Sequence, residues 1–583
     1  MKAAVFQSWR LILIGFAGCA AFGAIFWQLG QLHLVRGPAL AASAEDARRS
    51  LVPLEARRGD IRDSRGVLLA GTRPHVVVGI DPAFFRDDDL PKLPELARIL
   101  GLDTNEVKRA ATTRYRSEGG RPIRWVRLGQ VDDATYDAAL ALRVRGFYGT
   151  RGFERHYPAE SLAAQILGFI NREGVAVMGV EQQMDFYLRG QPGWRISESD
   201  GRRRELAAFR VREAPPVEGF NVVLTIDSVV QSMVEAEIRA LAETFSPDGI
   251  SIIVTEARSG AVLAMANYPT FDPNRFWEFP LENQRNRAVT DSLEPGSTFK
   301  IVPVAAALEE RLISPETLIH CSLPVVQYAG RSVRLPSDVR ELGEIPLTTV
   351  VARSSNRGAA MIGMMLGSRR LHDYSALFGF GSRTNWPLGG EIPGRLHPVE
   401  RWDGLTISRL PAGYAVSATP LQIHMATATL ANGGLRPQPY LLSRVVDRTG
   451  ANIMHFEPRA PVRVVSEETA RTMADLLAKV VSPEGTARRA ALPGMRVAGK
   501  TGTSRKIIDG RYSRTDHFAS FTGFFPAEAP EFVITVIVDN PRSSGVGFGG
   551  VVAAPAFRNI AEGLVRYFAI EAPRPERELA RFP

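Results

Sequence analysis

Glu294 to Lys300 reads EPGSTFK and sets a serine three residues before a lysine. A serine hydroxyl attacks a carbonyl well only after something takes its proton. A lysine amine can take it if desolvation or a neighbouring cation lowers its pKa. An arginine guanidinium stays charged and cannot. The lysine stands out because the chain holds seven lysines against sixty-four arginines. Pro295 and Gly296 disfavour helix, whereas STFKIVPVAAALEERL patterns as one despite Pro303 near its start. Ser297 is therefore expected at a helix start, with Lys300 one turn later on the same face. The helix N-terminus would favour negative charge developing near Ser297. Taken alone, the pair reads more simply as a helix cap followed by a surface lysine.

Two further fragments change that reading. Ser354 to Asn356, SSN, is the only S-x-N in the chain, and Lys500 to Thr503, KTGT, holds the only K-T-G. Ser354 offers a hydroxyl that can relay a proton between Lys300 and a leaving amine. Asn356 offers an amide to hold Lys300 and a peptide carbonyl. Lys500 adds a second cation, expected to depress Lys300 and to attract a carboxylate. Thr501 and Thr503 offer hydroxyls to that carboxylate, and Gly502 lets an extended peptide lie close to the strand. The backbone N–H groups of Ser297 and Thr503 are candidates for an oxyanion hole. The chemistry is acyl transfer through an acyl-serine, and no histidine has to act as base.

These residues need elements to position them. From GFNVVLTIDSVVQSMVEAEIRALAETF a strand, Asn221 to Thr225, passes through Asp227 into an amphipathic helix. GISIIVTEARSGAVLAMANYP reads as two apolar strands around a tight turn. Helical patterns dominate from Thr298 to about Leu430. Strands return at MRVAGKTGTS, HFASFTGFF and EFVITVIVD. That order implies an α+β domain whose sheet joins both ends of the segment. Upstream, residues 51 to 216 mix brief strands such as HVVVGI with helical stretches such as PKLPELARIL, and REAPP (Arg212 to Pro216) reads as a linker.

Leu11 to Trp27 carries no charge and apolar sequence continues to Val35, long enough to cross a bilayer as one helix. Lys2 and Arg10 precede it with no acid, so the N-terminus is expected to stay cytoplasmic and the remainder to be exported. The rival readings are a cleaved signal peptide and a lipoprotein box at FAGCA around Cys19. Leu40 to Arg49 follows as a short helical stalk. The net charge of +9 comes from scattered arginines with no dense basic run, which argues against nucleic acid. Two cysteines cannot form a disulfide framework, and no Cys/His cluster has zinc-like spacing, so neither metal nor cofactor is expected.

The three motifs in this order resemble the signature of penicillin-binding proteins, with serine at Ser355 where aspartate is usual. RRGDIRDSRGVLLA, RHYPAESLAAQILGFIN and GVEQQMDFYLRG are similar to motifs of the class B pedestal. There Arg58, Gly59, Asp60, Arg62 and Glu181 are family-type positions of architectural character. NRAVTDSLEPGSTFK, KTGTSRKIIDGRYSRTDHFASFTGFFP and GYAVSATPLQ look most like the division-specific, FtsI-like type.

The resemblance implies an α+β penicillin-binding transpeptidase fold, an antiparallel sheet flanked by helices. A mixed α/β pedestal and one transmembrane helix would precede it. The implied division is a cytoplasmic N-terminus (1–10), an anchor (11–35), a periplasmic pedestal of dimerisation type (36–216), a transpeptidase domain (217–570) and a tail (571–583). The implied activity is peptidoglycan D,D-transpeptidation in septal wall synthesis at the inner membrane, on stem peptides ending in D-Ala-D-Ala, with an amine acceptor. Ser297 is the implied nucleophile, Lys300 the base and Ser354 the relay, with Asn356 and Lys500 beside them; β-lactams would acylate the same serine. Implied partners are an FtsW-like membrane glycosyltransferase and other divisome proteins. Alternatives are an elongation-type transpeptidase, a β-lactamase or carboxypeptidase, and a non-catalytic β-lactam sensor or scaffold. A bifunctional class A enzyme is disfavoured by the absence of a glycosyltransferase-like acidic motif.

Overall fold

The computed structural model describes residues 2–115, 120, 122–199, 205–542 and 547–571. The tail expected at 571–583 falls outside them except for its first residue. By contacts the chain divides into two units. One holds residues 1–57 and 190–218, the other 58–189 and those from 219 onward.

The first unit begins with the helix Lys2–Gly30, which continues through a wider π turn, Gln31–Val35. Within it Trp9–Val35, 27 residues of mean hydropathy 1.9, is long and apolar enough to span a bilayer and has no buried residue. The stalk forms as the helix Gly37–Arg48. The strands Arg49–Leu54, Gly193–Ser199 and Glu205–Ala214 make a three-stranded antiparallel sheet in that order. The linker expected at Arg212 to Pro216 lies inside this unit, and Arg212 to Ala214 belong to its third strand.

The second unit carries two sheets. Five antiparallel strands run Val262–Tyr268, Gly249–Glu256, Phe532–Asp539, Arg511–Phe525 and Ala498–Ile508. The sheet thus joins both ends of its segment, as the pattern predicts. Its central strands are buried on both faces, which explains their near-continuous apolar runs. Phe521 and Phe525 turn to the helix Gly549–Tyr567, where their rings meet Phe557 edge-on. Thr522 and Thr535 turn the other way, to the fully buried helix Pro420–Ala431. There His424 sits between Thr255 Oγ1 (2.8 Å) and Thr535 Oγ1 (2.9 Å). Burial lowers the His424 pKa to about 3.

The second sheet gathers strands from distant stretches of chain. Asn221–Leu224 pairs antiparallel with Leu442–Val446 on one side and parallel with Ile61–Arg62 on the other. Ile61–Arg62 in turn pairs with Leu68–Ile80, which carries Val126–Val131 and Phe147–His156. One core therefore contains Ile61, Leu69, Ile166 and Val180 together with Val222, Met265 and Leu441.

Of the pedestal-type positions, Arg58 and Glu181 pair with each other, and Gly59 meets the catalytic half. Glu181, fully buried, accepts from Arg58 Nε at 2.7 Å and Arg155 Nε at 2.6 Å. Gly59 has no room for a Cβ, which would lie 1.9 Å from Phe220 O. Asp63 takes the hydroxyl of Ser228 at 2.7 Å. Arg65 donates to Asp227, the N-cap of the helix Ser228–Phe245, at 2.9 Å and covers the Tyr567 ring at 4.5 Å.

Candidate active site

The serine turn forms as one 3-10 turn, Gly296–Lys300, that runs into the helix Ile301–Glu309. Pro303 is the third residue of that helix, where its missing N–H costs nothing. The turn is fixed from two sides. Gly296 N donates to Gly413 O at 3.1 Å, and Gly413 (φ +84) approaches so closely that a Cβ there would sit 1.9 Å from Gly296 O. Thr298 Oγ1 closes the turn onto Pro295 O at 2.7 Å. Ser297 is half-buried, whereas Lys300 is 5% exposed.

The SSN motif is the joint between two helices, Leu347–Arg353 and Asn356–Leu366. Ser354 ends the first in the left-handed region (φ 60), an unusual conformation for a residue with a side chain. Ser355 caps the second, accepting from Gly358 N at 2.9 Å. This joint receives the Lys300 amine, which donates to Ser354 O at 2.5 Å and Asn356 Oδ1 at 2.7 Å and lies 3.1 Å from Ser354 Oγ. Lys500, 1% exposed, reaches the same Ser354 Oγ at 2.8 Å and its neighbour's carbonyl, Thr501 O, at 3.1 Å. One hydroxyl thus bridges two buried amines.

The electrostatics follow from this burial. A cavity of about 10 Å³ beside the amines is lined by Val304, Val350, Val351, Met473 and Leu477, a mostly apolar wall. Desolvation lowers the Lys300 pKa to about 7, opposed by the Asp338 carboxylate. Lys500 is pushed well below the usual lysine range, by burial first and by the Lys300 charge second. The sequence reading made Lys500 the cause of the depression at Lys300. In the structure burial is the main cause, and the effect of the neighbouring cation falls on Lys500, the deeper of the two. Lys500 is also enclosed rather than offered to a substrate carboxylate.

Strand alternation sorts the KTGT residues. Lys500, Gly502 and Ser504 face the serine turn, and Thr501 and Thr503 face the helix Gly549–Tyr567. Thr501 Oγ1 lies 2.8 Å from Thr486 Oγ1, and Thr503 Oγ1 accepts from Gly549 N at 3.3 Å. The sequence reading reserved the space beside Gly502 for a peptide. Here the protein fills it: a Cβ would sit 2.3 Å from Ser520 Oγ and 2.9 Å from Thr298 Cγ2. The glycine lets the Lys500 strand press against the serine turn.

The fold brings Ser297, Lys300, Ser354, Asn356 and Lys500 into one cluster, with Thr501, Gly502 and Thr503 along the adjoining strand. Sequence reasoning missed Asp338, whose carboxylate holds the SSN joint through Ser355 Oγ (2.6 Å) and Asn356 N. It also missed Glu294, which accepts from Ala415 N at 3.0 Å and from Tyr512 OH at 3.0 Å. Asp338 belongs to no short motif and Glu294 stands just before S-x-x-K, so only their contacts single them out.

An α+β sheet carrying a serine and two buried lysines on these motifs defines a serine acyltransferase of the penicillin-recognising class. A family model for the penicillin-binding protein transpeptidase domain matches residues 250–562, and one for the penicillin-binding protein dimerisation domain matches 53–224. The chain belongs to the penicillin-binding protein transpeptidase family. It is similar to stage V sporulation protein D of Bacillus subtilis, 32% identical over 94% of this chain and 84% of that one. It is also similar to the peptidoglycan D,D-transpeptidase FtsI of Escherichia coli, 29% identical over 97% and 93%. Among solved structures it resembles penicillin-binding protein 3 of Mycobacterium tuberculosis complexed with aztreonam. That match has 29% identity, a TM-score of 0.67, and covers 90% of this chain and 99% of that one.

Proposed function

We propose that the chain is a single-span peptidoglycan D,D-transpeptidase of septal wall synthesis. The observation that carries this reading is the bridged pair of buried amines one turn from Ser297. Burial brings the Lys300 pKa to about 7 and pushes Lys500 well below the usual lysine range, so Lys300 is free to take a proton near neutral pH. Lys300 takes the Ser297 proton as the hydroxyl oxygen attacks the penultimate D-alanine carbonyl of a stem peptide. The backbone N–H groups of Ser297 and Thr503 receive the oxyanion. Ser354 Oγ, in reach of both lysines, carries the proton to the leaving D-alanine amine. An amine of a second stem peptide then takes the acyl group from Ser297 by the reverse path. A β-lactam enters the first half of this cycle and stalls.

Asn356 orients Lys300 and a substrate amide. Residues 11–35 serve as an inner-membrane anchor, 36–216 as a periplasmic pedestal and 217–570 as the transpeptidase domain. Such a chain makes no glycan, so an FtsW-like glycosyltransferase and other divisome proteins are its partners. Labelling the full-length protein with a fluorescent penicillin tests the chemistry: Ser297→Ala should abolish the label, and a label that survives overturns the nucleophile. Depletion in cells tests the septal role, with filaments expected and round cells contradicting it.

A further inference from the structure

We propose that Asp338 is a positioning residue of the acylation step: its carboxylate clamps the Ser354–Asn356 joint on which the Lys300 amine rests and supplies a negative charge that acts on that amine. The proposal rests on the reading of Lys300 as the base. Asp338 lies in the segment between the strands Arg331–Arg334 and Glu344–Pro346, far in sequence from both lysines. Its Oδ2 accepts from Ser355 Oγ at 2.6 Å, and its Oδ1 accepts from Asn356 N and from Arg357 N at 3.3 Å. The latter two are the first amides of the helix Asn356–Leu366, which otherwise lack partners. With Ser355 capping Gly358 N, three of that helix's free amides are satisfied.

The same segment fixes the Asn356 side chain. Ser337 O accepts from Asn356 Nδ2 at 2.8 Å, which leaves Asn356 Oδ1 as the face presented to Lys300 Nζ at 2.7 Å. A joint held less firmly would misplace three of the groups on which the amine rests: Ser354 O, Ser354 Oγ and Asn356 Oδ1.

The clamp also has an electrostatic consequence. Around the Lys300 amine, the Lys500 strand brings a cation and the 335–343 segment brings Asp338. The remaining elements packed there present Val350, Val351, Met473 and Leu477, with Ser354, Ser355 and Asn356 as the polar groups, and Asp338 also acts on the buried Cys321 thiol. Asp338 is the charge that raises the Lys300 pKa against the burial that lowers it. Without it the amine should lose its proton at lower pH.

The test is the rate of acylation of the full-length protein in detergent by a fluorescent penicillin, from pH 5 to 10. The wild-type rate should rise as Lys300 loses its proton near pH 7. Asp338→Asn keeps an acceptor for the Asn356 amide but drops the charge, and its rising limb should move down by about one pH unit. Asp338→Glu keeps the charge in an altered place, so its limb should stay while its plateau falls by about tenfold to a hundredfold. Thermal melts establish which variants fold, and either one alone reports on the limb. A residue that merely capped the helix would lower both plateaus and move neither limb, and that result overturns the proposal. Lys300→Arg separates the two readings. If it is acylated as fast as wild type, the base assignment fails; if it is dead and the Asp338→Asn limb is unmoved, only the role of Asp338 fails.

Discussion

At the residue scale, function rests on keeping two amines dry. Lys300→Arg retains a cation of similar length but cannot give up its proton near neutral pH. It should slow acylation by about 10²-fold or more, measured with a fluorescent penicillin at pH 7.5 alongside a melt to show folding. The burial of Lys300 also carries a stability cost with a definite pH dependence. The folded amine releases its proton at about 7, and the unfolded one near 10.5. Between those values the unfolded chain binds more protons, so this group's contribution to stability improves as pH rises from about 7 to 10.5. The five residues of the cluster were legible in the sequence because their motifs are short and fixed in spacing. Asp338 was not, because a carboxylate eighteen positions before Asn356 has no periodic relation to it. The closure of the 335–343 segment alone brings the two together.

At the element scale, the strands and helices of the catalytic sheet follow the apolar pattern closely. What the pattern could not show is how tightly one element presses another. A glycine in a strand next to a reactive serine allows two explanations, room for substrate or close packing. The distances to Ser520 and Thr298 decide for internal packing. Gly502→Ala should therefore push the Lys500 strand off the serine turn, destabilise the protein by about 1–3 kcal/mol and slow acylation. A melt unchanged together with an unchanged labelling rate would contradict the close approach. Gly413→Ala combines a left-handed backbone with a clash against Gly296 O, and the same two measurements should show a larger loss.

At the scale of the whole molecule, a buried imidazole ties the sheet to its central helix. His424 stays neutral in the fold down to about pH 3, whereas the unfolded chain protonates it near 6.5. The unfolded state binds more protons between those values, so stability falls as pH drops through that window, by up to about 1.4 kcal/mol per unit. Denaturant titrations from pH 4 to 7 should show this slope in the wild type and a shallower one in His424→Gln. Equal slopes would remove the imidazole from the account. The composition of the chain marked a joint near Pro216, but the strands of the second sheet cross the region on either side of it. Ile61–Arg62 finds its partner in Asn221–Leu224 through long-range pairing, which local sequence does not encode.

That shared sheet has a consequence for inheritance. A genetic crossover in the proline-rich stretch would hand one parent's Ile61–Arg62 strand, Asp63 and Arg65 to the other parent's Asn221–Leu224 strand, Ser228, Asp227 and Tyr567. Each half would then meet a partner surface it had not evolved beside. Chimaeras cut there should recover stability when Ile61–Arg62, Asp63 and Arg65 come from the parent of the catalytic half and Arg58 stays with its own Glu181. The apparent hinge in the text of the gene is thus a poor place to recombine it.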